Sequence, residues 1–138
     1  MTSEINYDIE CDERNGYLLV RITDTFIRLP DAVDYTNKVM RRVREKGYKG
    51  VIIVDEVPLR MDPDQLKLFG NVIANMLPAD TRMAVVDATP SHDASLVFAE
   101  VARGRHKDVR IFRNLQDAEQ WISDPNPCEA EPFATQRI

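Results

Sequence analysis

Polar and apolar residues trade places one by one at the start of the chain. Ile5, Tyr7, Ile9 and Cys11 alternate with Asn6, Asp8, Glu10 and Asp12, the period of a strand with one face in water. Arg14-Asn15-Gly16 supplies an Asn-Gly turn, and Leu18, Val20 and Ile22 resume the alternation. The two segments are therefore expected to close an antiparallel hairpin with its first strand at a sheet edge.

The period then lengthens. From Pro30 to Lys46, Val33, Thr36, Val39, Met40 and Val43 follow helical spacing, and Gly47 stands where a left-handed terminator is wanted. Val51-Ile52-Ile53-Val54 is an unbroken β-branched run, the mark of a parallel strand covered on both faces. Leu66, Phe69, Val72, Ile73, Met76 and Leu77 give a second helix that stops before Pro78. The cycle repeats with the strand Met83 to Val86, a helix carrying Ala94, Val97, Phe98, Val101 and Ala102 inward, a last strand Val109 to Phe112, and a helix capped by Asn114 and carrying Leu115, Ala118, Trp121 and Ile122. The order is β-β-α-β-α-β-α-β-α, an α/β fold in which right-handed crossovers make the strands after the hairpin parallel. Residues 1–124 form one domain, and 125–138, rich in proline and without period, are expected to be a flexible tail.

Composition narrows the classes. A chain of 138 residues buries roughly two thirds of its unfolded surface around one core. Cys11 and Cys128 lie far apart and fit neither a metal spacing nor a disulfide framework. The acidic start lacks the features of a signal peptide, no apolar run spans a bilayer, and a net charge of −5 argues against a nucleic-acid binder. A cytoplasmic protein is expected.

Charge is sorted by the topology. Strand-to-helix loops gather at one pole and helix-to-strand loops at the other, so Asp24, Asp31, Asp55, Glu56, Asp62, Asp64, Asp87 and Asp93 collect at the first. Ligand sites of open α/β sheets lie at that end. Helix chemistry accounts for much of this acidity: Asp62-Pro63-Asp64-Gln65 reads as a capping box with proline at N1, and Asp31, Asp64 and Asp93 complement helix dipoles. Asp55, Glu56 and Asp87 end or follow buried strands, and no cap requires them. The opposite pole receives Arg41, Arg42, Arg44, Lys46, Lys49, Arg82, Arg103, Arg105, Lys107 and Arg110, mostly in last turns where cations suit the dipole. Gly104 is expected to terminate the third helix before His106. No glycine-rich phosphate loop or GxSxG elbow occurs, and Ser91-His92-Asp93 are sequence neighbours that would point apart on a helical turn. Leu59 and Met61 fall off any periodic face, so with Leu68 they either pack under a loop or form an exposed patch.

The hairpin from Ile5 to Thr23, the run GYKGVIIVDEVPLRMDPDQL and the RMAVVD strand together resemble the SpoIIAA-like superfamily, which groups anti-sigma-factor antagonist (STAS) domains with short STAS/SEC14-like bacterial proteins. The resemblance spans residues 4 to about 123. It implies a (βα)n superhelix with neighbouring strands consecutive in the chain, and a regulatory module that binds partners. Such modules are commonly switched by phosphorylating a serine or threonine at the start of the second helix. Here Asp55 to Asp62 contain no hydroxyl, so that switch is not offered. The lipid-carrying relatives are larger.

The expectation is a non-catalytic regulatory or protein-interaction module, without cofactor or metal, that meets a protein partner or a second copy. The candidate contact residues are Asp55, Glu56, Leu59, Arg60, Met61, Asp62, Asp87, Ser91 and His92. The alternative is a small-ligand domain for a nucleotide, acyl or lipid compound at the strand ends. Contact of the basic pole with anionic lipid is a third, weaker expectation.

Overall fold

A computed structural model describes residues 7–14, 16–24, 27–56, 59–87 and 92–124. Among them run β1 (Tyr7–Glu13), β2 (Tyr17–Asp24), β3 (Ile27–Arg28), α1 (Leu29–Lys46), β4 (Gly50–Asp55), β5 (Leu59–Arg60), α2 (Pro63–Met76), β6 (Arg82–Asp87), α3 (His92–Gly104), β7 (Val109–Phe112) and α4 (Leu115–Ser123). The expected tail lies outside the described residues.

Five strands form one sheet in the order β1-β2-β4-β6-β7. The hairpin β1–β2 is antiparallel, and the pairs β2–β4, β4–β6 and β6–β7 are parallel. Neighbours in space are thus neighbours among the main strands in sequence, as the resemblance implied. A feature without sequence period is the short parallel pairing of β3 with β5, Ile27 opposite Leu59 and Arg28 opposite Arg60. It ties together the segments that lead into α1 and α2.

The sheet is covered on both faces. Leu18, Val20, Ile22, Val51, Ile53, Met83 and Val85 share one core with α1, α2 and α3. The intervening residues Leu19, Ile52, Val54, Ala84 and Val86 share a second with Ala118, Trp121 and Ile122 of α4. Strands read as continuous apolar runs because both of their faces are dry. Within the larger core, Phe69 meets Tyr35 edge-on at 6.4 Å and Phe98 at 5.0 Å, linking the three helices. Gly70 lets α2 approach α3: a methyl group there would sit 2.7 Å from the Phe98 carbonyl oxygen and 2.7 Å from Val101 Cβ.

The helix ends largely follow the sequence. Gly47 closes α1 at φ 70°, its N–H donating to the Val43 carbonyl. Asn114 caps α4 by accepting from the Asp117 N–H at 2.9 Å. The terminator of α3 differs from expectation, since Gly104 stays helical and His106 takes the left-handed conformation at φ 67°. The Lys107 N–H then reaches back to the Ala102 carbonyl at 3.2 Å. In α2, Val72 and Met76 are only partly buried, and the tight inner line is Leu66, Phe69, Gly70, Ile73 and Ala74.

Candidate functional site

β4 and β6 end level with one another at the acidic pole, beside β2, which runs two residues farther to Asp24. Parallel register sets Ile22 beside Asp55 and Asp55 beside Asp87. Alternation turns all three toward the face covered by α1, α2 and α3, because Ile53 and Val85, two residues earlier, lie in that core. Two carboxyls therefore stand on adjacent strands, only 3% and 0% exposed.

Their surroundings differ. Ser95, on the inner side of α3, donates its hydroxyl to Asp87 Oδ2 in a short bond of 2.6 Å. Asp55 Oδ1 is buried with no hydrogen-bond partner. Burial first, and the neighbouring Asp87 charge second, push the Asp55 carboxyl from 3.8 up to about 8. Loss of water penalises the charged form of an acid, and a like charge alongside adds to the penalty. At neutral pH Asp55 is thus a proton-bearing carboxylic acid.

The other acids of the pole serve helices. Asp62 Oδ1 accepts from the Gln65 N–H at 2.8 Å while Gln65 Oε1 accepts from the Asp62 N–H at 3.0 Å, a reciprocal cap with Pro63 at N1. Asp31, Asp64 and Asp93 sit in first turns. Glu56 is exposed and pairs with Arg21 at 3.0 Å, and its N–H donates to the Ile22 carbonyl. The acidity thus divides into helix-start residues, an ion-paired Glu56 and one pair on adjacent strands, Asp55 and Asp87, buried at the sheet ends. Among the described residues, no three of His, Cys, Asp and Glu gather as a metal site would require.

The remaining candidates scatter. Arg60 is exposed on β5, while Met61 packs partly buried against the larger core. Of the two readings of Met61, packing against the core accounts for part of its side chain. Leu59 belongs to β5, and His92 opens α3, but their side chains, like Ser91 as a whole, lie outside the described residues. Leu68 is 53% exposed on the outer side of α2. Ser95 was missed by sequence reasoning. Its signal was a hydroxyl on the inner line Ser95, Phe98, Ala99, Ala102, where a buried donor must find an acceptor.

At the opposite pole the cations hold backbone. α2 lacks a basic residue in its last turn, and its end is served from neighbours: Arg44 donates to the Met76 carbonyl at 3.2 Å and Lys107 to the Leu77 carbonyl at 2.6 Å. Arg103 donates to the Val109 carbonyl at 2.8 Å, and Arg82 to the carbonyls of Trp121 and Asp124. Lys49 pairs with Asp80 at 2.7 Å. Carbonyls left over by helices take up much of this charge.

The class this geometry defines is an α/β domain with a consecutive five-stranded sheet, three helices on one face and one on the other. No family model and no curated protein matches the chain. Among solved structures, it is similar to an uncharacterized protein from the DUF3478 family with a SpoIIAA-like fold from Shewanella loihica PV-4. The two share 16% identity over 88% of this chain and 98% of that chain, with a TM-score of 0.49. That likeness is one of fold. Among the described residues no helix is long and apolar enough to cross a membrane.

Proposed function

We propose that the protein is a non-catalytic regulatory module that meets a protein partner through the loop from Glu56 to Asp62 and the outer face of α2. The observation that carries this reading is Leu68, 53% exposed on the α2 face turned away from the core. Leu68 continues along the helix into the partly buried Val72 and Met76, and a contiguous apolar surface is a ready contact for another protein. Arg60 is exposed on β5 nearby in sequence, and the reciprocal cap at Asp62 and Gln65 fixes where α2 begins. Where related modules carry a phosphorylatable hydroxyl, Asp62 offers a permanent negative group already engaged with the Gln65 N–H. Partner binding would then respond to something other than phosphorylation at that position. Tagged wild-type protein and the Arg60→Glu, Leu68→Asp double variant, compared in quantitative pull-downs, test this. A partner retained by the first and lost from the second, with thermal unfolding nearly unchanged, supports the proposal; identical retention removes it.

A second reading follows from the unpartnered Asp55 Oδ1. A small ligand at the strand ends would meet the protonated Asp55 carboxyl with a free oxygen, which suits a hydrogen-bonding group. Thermal shift against amines, divalent cations, nucleotides and acyl compounds separates these classes. Saturable stabilisation abolished by Asp55→Asn supports a ligand, and no shift from any class removes it.

A further inference from the structure

The outer side of α2 carries more than one apolar residue. Leu68, Val72 and Met76 stand four residues apart, so they stack along one line of the helix. Leu68 is 53% exposed, and Val72 and Met76 touch the core on one side while leaving the other outward. Charge is graded along the same line. Asp64, in the first turn, is exposed and has no ion pair among the described residues. At the far end two arginines flank the helix: Arg44 of α1, bonded to the Met76 carbonyl, and Arg105, bonded to Asn75 Oδ1 at 2.7 Å and to the Asn71 carbonyl at 3.2 Å. Both arginines are exposed, and the bonds hold them beside the line without placing an acid against them.

We propose that this line is a self-pairing surface, on which α2 of one chain packs antiparallel against α2 of a second copy about a twofold axis near Leu68 and Val72. Such an axis repeats each contact twice. It places the apolar line of one copy on that of the other, and brings Asp64 of each chain to the end of the opposing helix, where Arg44 and Arg105 stand. The N-terminal end of each helix also meets the C-terminal end of its neighbour, so the helix dipoles attract. A parallel arrangement would oppose acid to acid and arginine to arginine. Charge complementarity therefore selects a second copy, in this orientation, as the occupant. The inference rests on α2 being the partner-binding face, and names the partner.

One helix against one helix covers less than the roughly 1,600 Å² of a standard interface, so the pairing is weak, with half-association at about tens to hundreds of micromolar. Sedimentation velocity from about 10 µM to about 1 mM spans that range. Wild type is expected to pass from monomer to dimer, and Leu68→Asp to stay monomeric. Asp64→Arg alone, and Arg44→Asp with Arg105→Asp, should each weaken pairing at least tenfold, while an equimolar mixture of these two chains recovers a dimer. That recovery requires both variants to be folded and charges to meet across the axis. A wild type monomeric throughout, a dimer indifferent to Leu68→Asp, or a mixture that stays monomeric each overturns the proposal. A monomeric wild type that still captures another protein through Leu68 overturns self-pairing alone, whereas loss of both takes the interaction-module reading with it.

Discussion

Replacing Asp55 by asparagine removes one ionisable group from beneath the acidic pole, and the consequence is a change in how stability depends on pH. The folded carboxyl holds its proton up to about pH 8, whereas the unfolded one releases it near 3.8. Below the lower value both states are protonated and folding bears no cost from this group. Between the two values the unfolded chain binds fewer protons than the folded one, so stability falls as pH rises, by about 1.4 kcal/mol per pH unit. Above the upper value both states are ionised, and the cost is complete and constant. At pH 7 it amounts to about 4 kcal/mol. Asparagine escapes this cost but leaves buried amide atoms to be satisfied, at roughly 1–3 kcal/mol. The net effect is therefore a gain of about 1–3 kcal/mol at neutral pH and a loss of about 1–2 kcal/mol near pH 4. Urea unfolding of both proteins at intervals from pH 4 to 9 provides the assay. The difference between variant and wild type should grow through that window and level off near pH 8. Parallel curves would refute the reasoning, since they would mean that Asp55 ionises alike in the folded and unfolded chains.

Three further substitutions probe the elements that shape the pole and its helices. Asp62→Ala removes the side chain that accepts from the Gln65 N–H and should cost about 1 kcal/mol, seen as a fall of a few degrees in Tm. Gly70→Ala drives a methyl group against the Phe98 carbonyl and Val101, and separating α2 from α3 should cost about 1–3 kcal/mol by chemical denaturation. His106→Gly relieves a non-glycine residue of its left-handed backbone at φ 67° and should stabilise by about 0.5–1 kcal/mol, raising Tm by a few degrees.

Much of this architecture was legible in the chain because its signals are local. The β-branched run from Val51 to Val54, the alternating hairpin and the Asp62-Pro63-Asp64-Gln65 cap each state their structure within a few residues. The pairing of β3 with β5 was not legible, since two-residue strands leave no period. Nor was the handover from Gly104 to His106: composition favours glycine as terminator, but the bonds of Arg105, His106 and Lys107 to the last helical carbonyls close α3 two residues later. Val72 and Met76 carry helical spacing yet face outward in part, because the small residues Gly70 and Ala74 take the inner line instead. For the candidate site, sequence placed Asp55 and Asp87 at the ends of buried strands, while only register makes them neighbours. The Ser95 bond to Asp87 depends on α3 crossing the sheet at that point, which no local pattern encodes.

The central claim is that the acids at the acidic pole serve the fold, some at helix starts and one pair as the holder of a proton. Carbon-13 NMR of the aspartate carboxyl groups, followed from pH 3 to 10, tests it most directly. The account predicts one carboxyl that remains protonated at neutral pH, titrates near 8, disappears from the spectrum of Asp55→Asn and does not move on adding magnesium at pH 7. Aspartates that have all ionised by about pH 5, or a magnesium-induced shift of the Asp55 and Asp87 resonances, would contradict it.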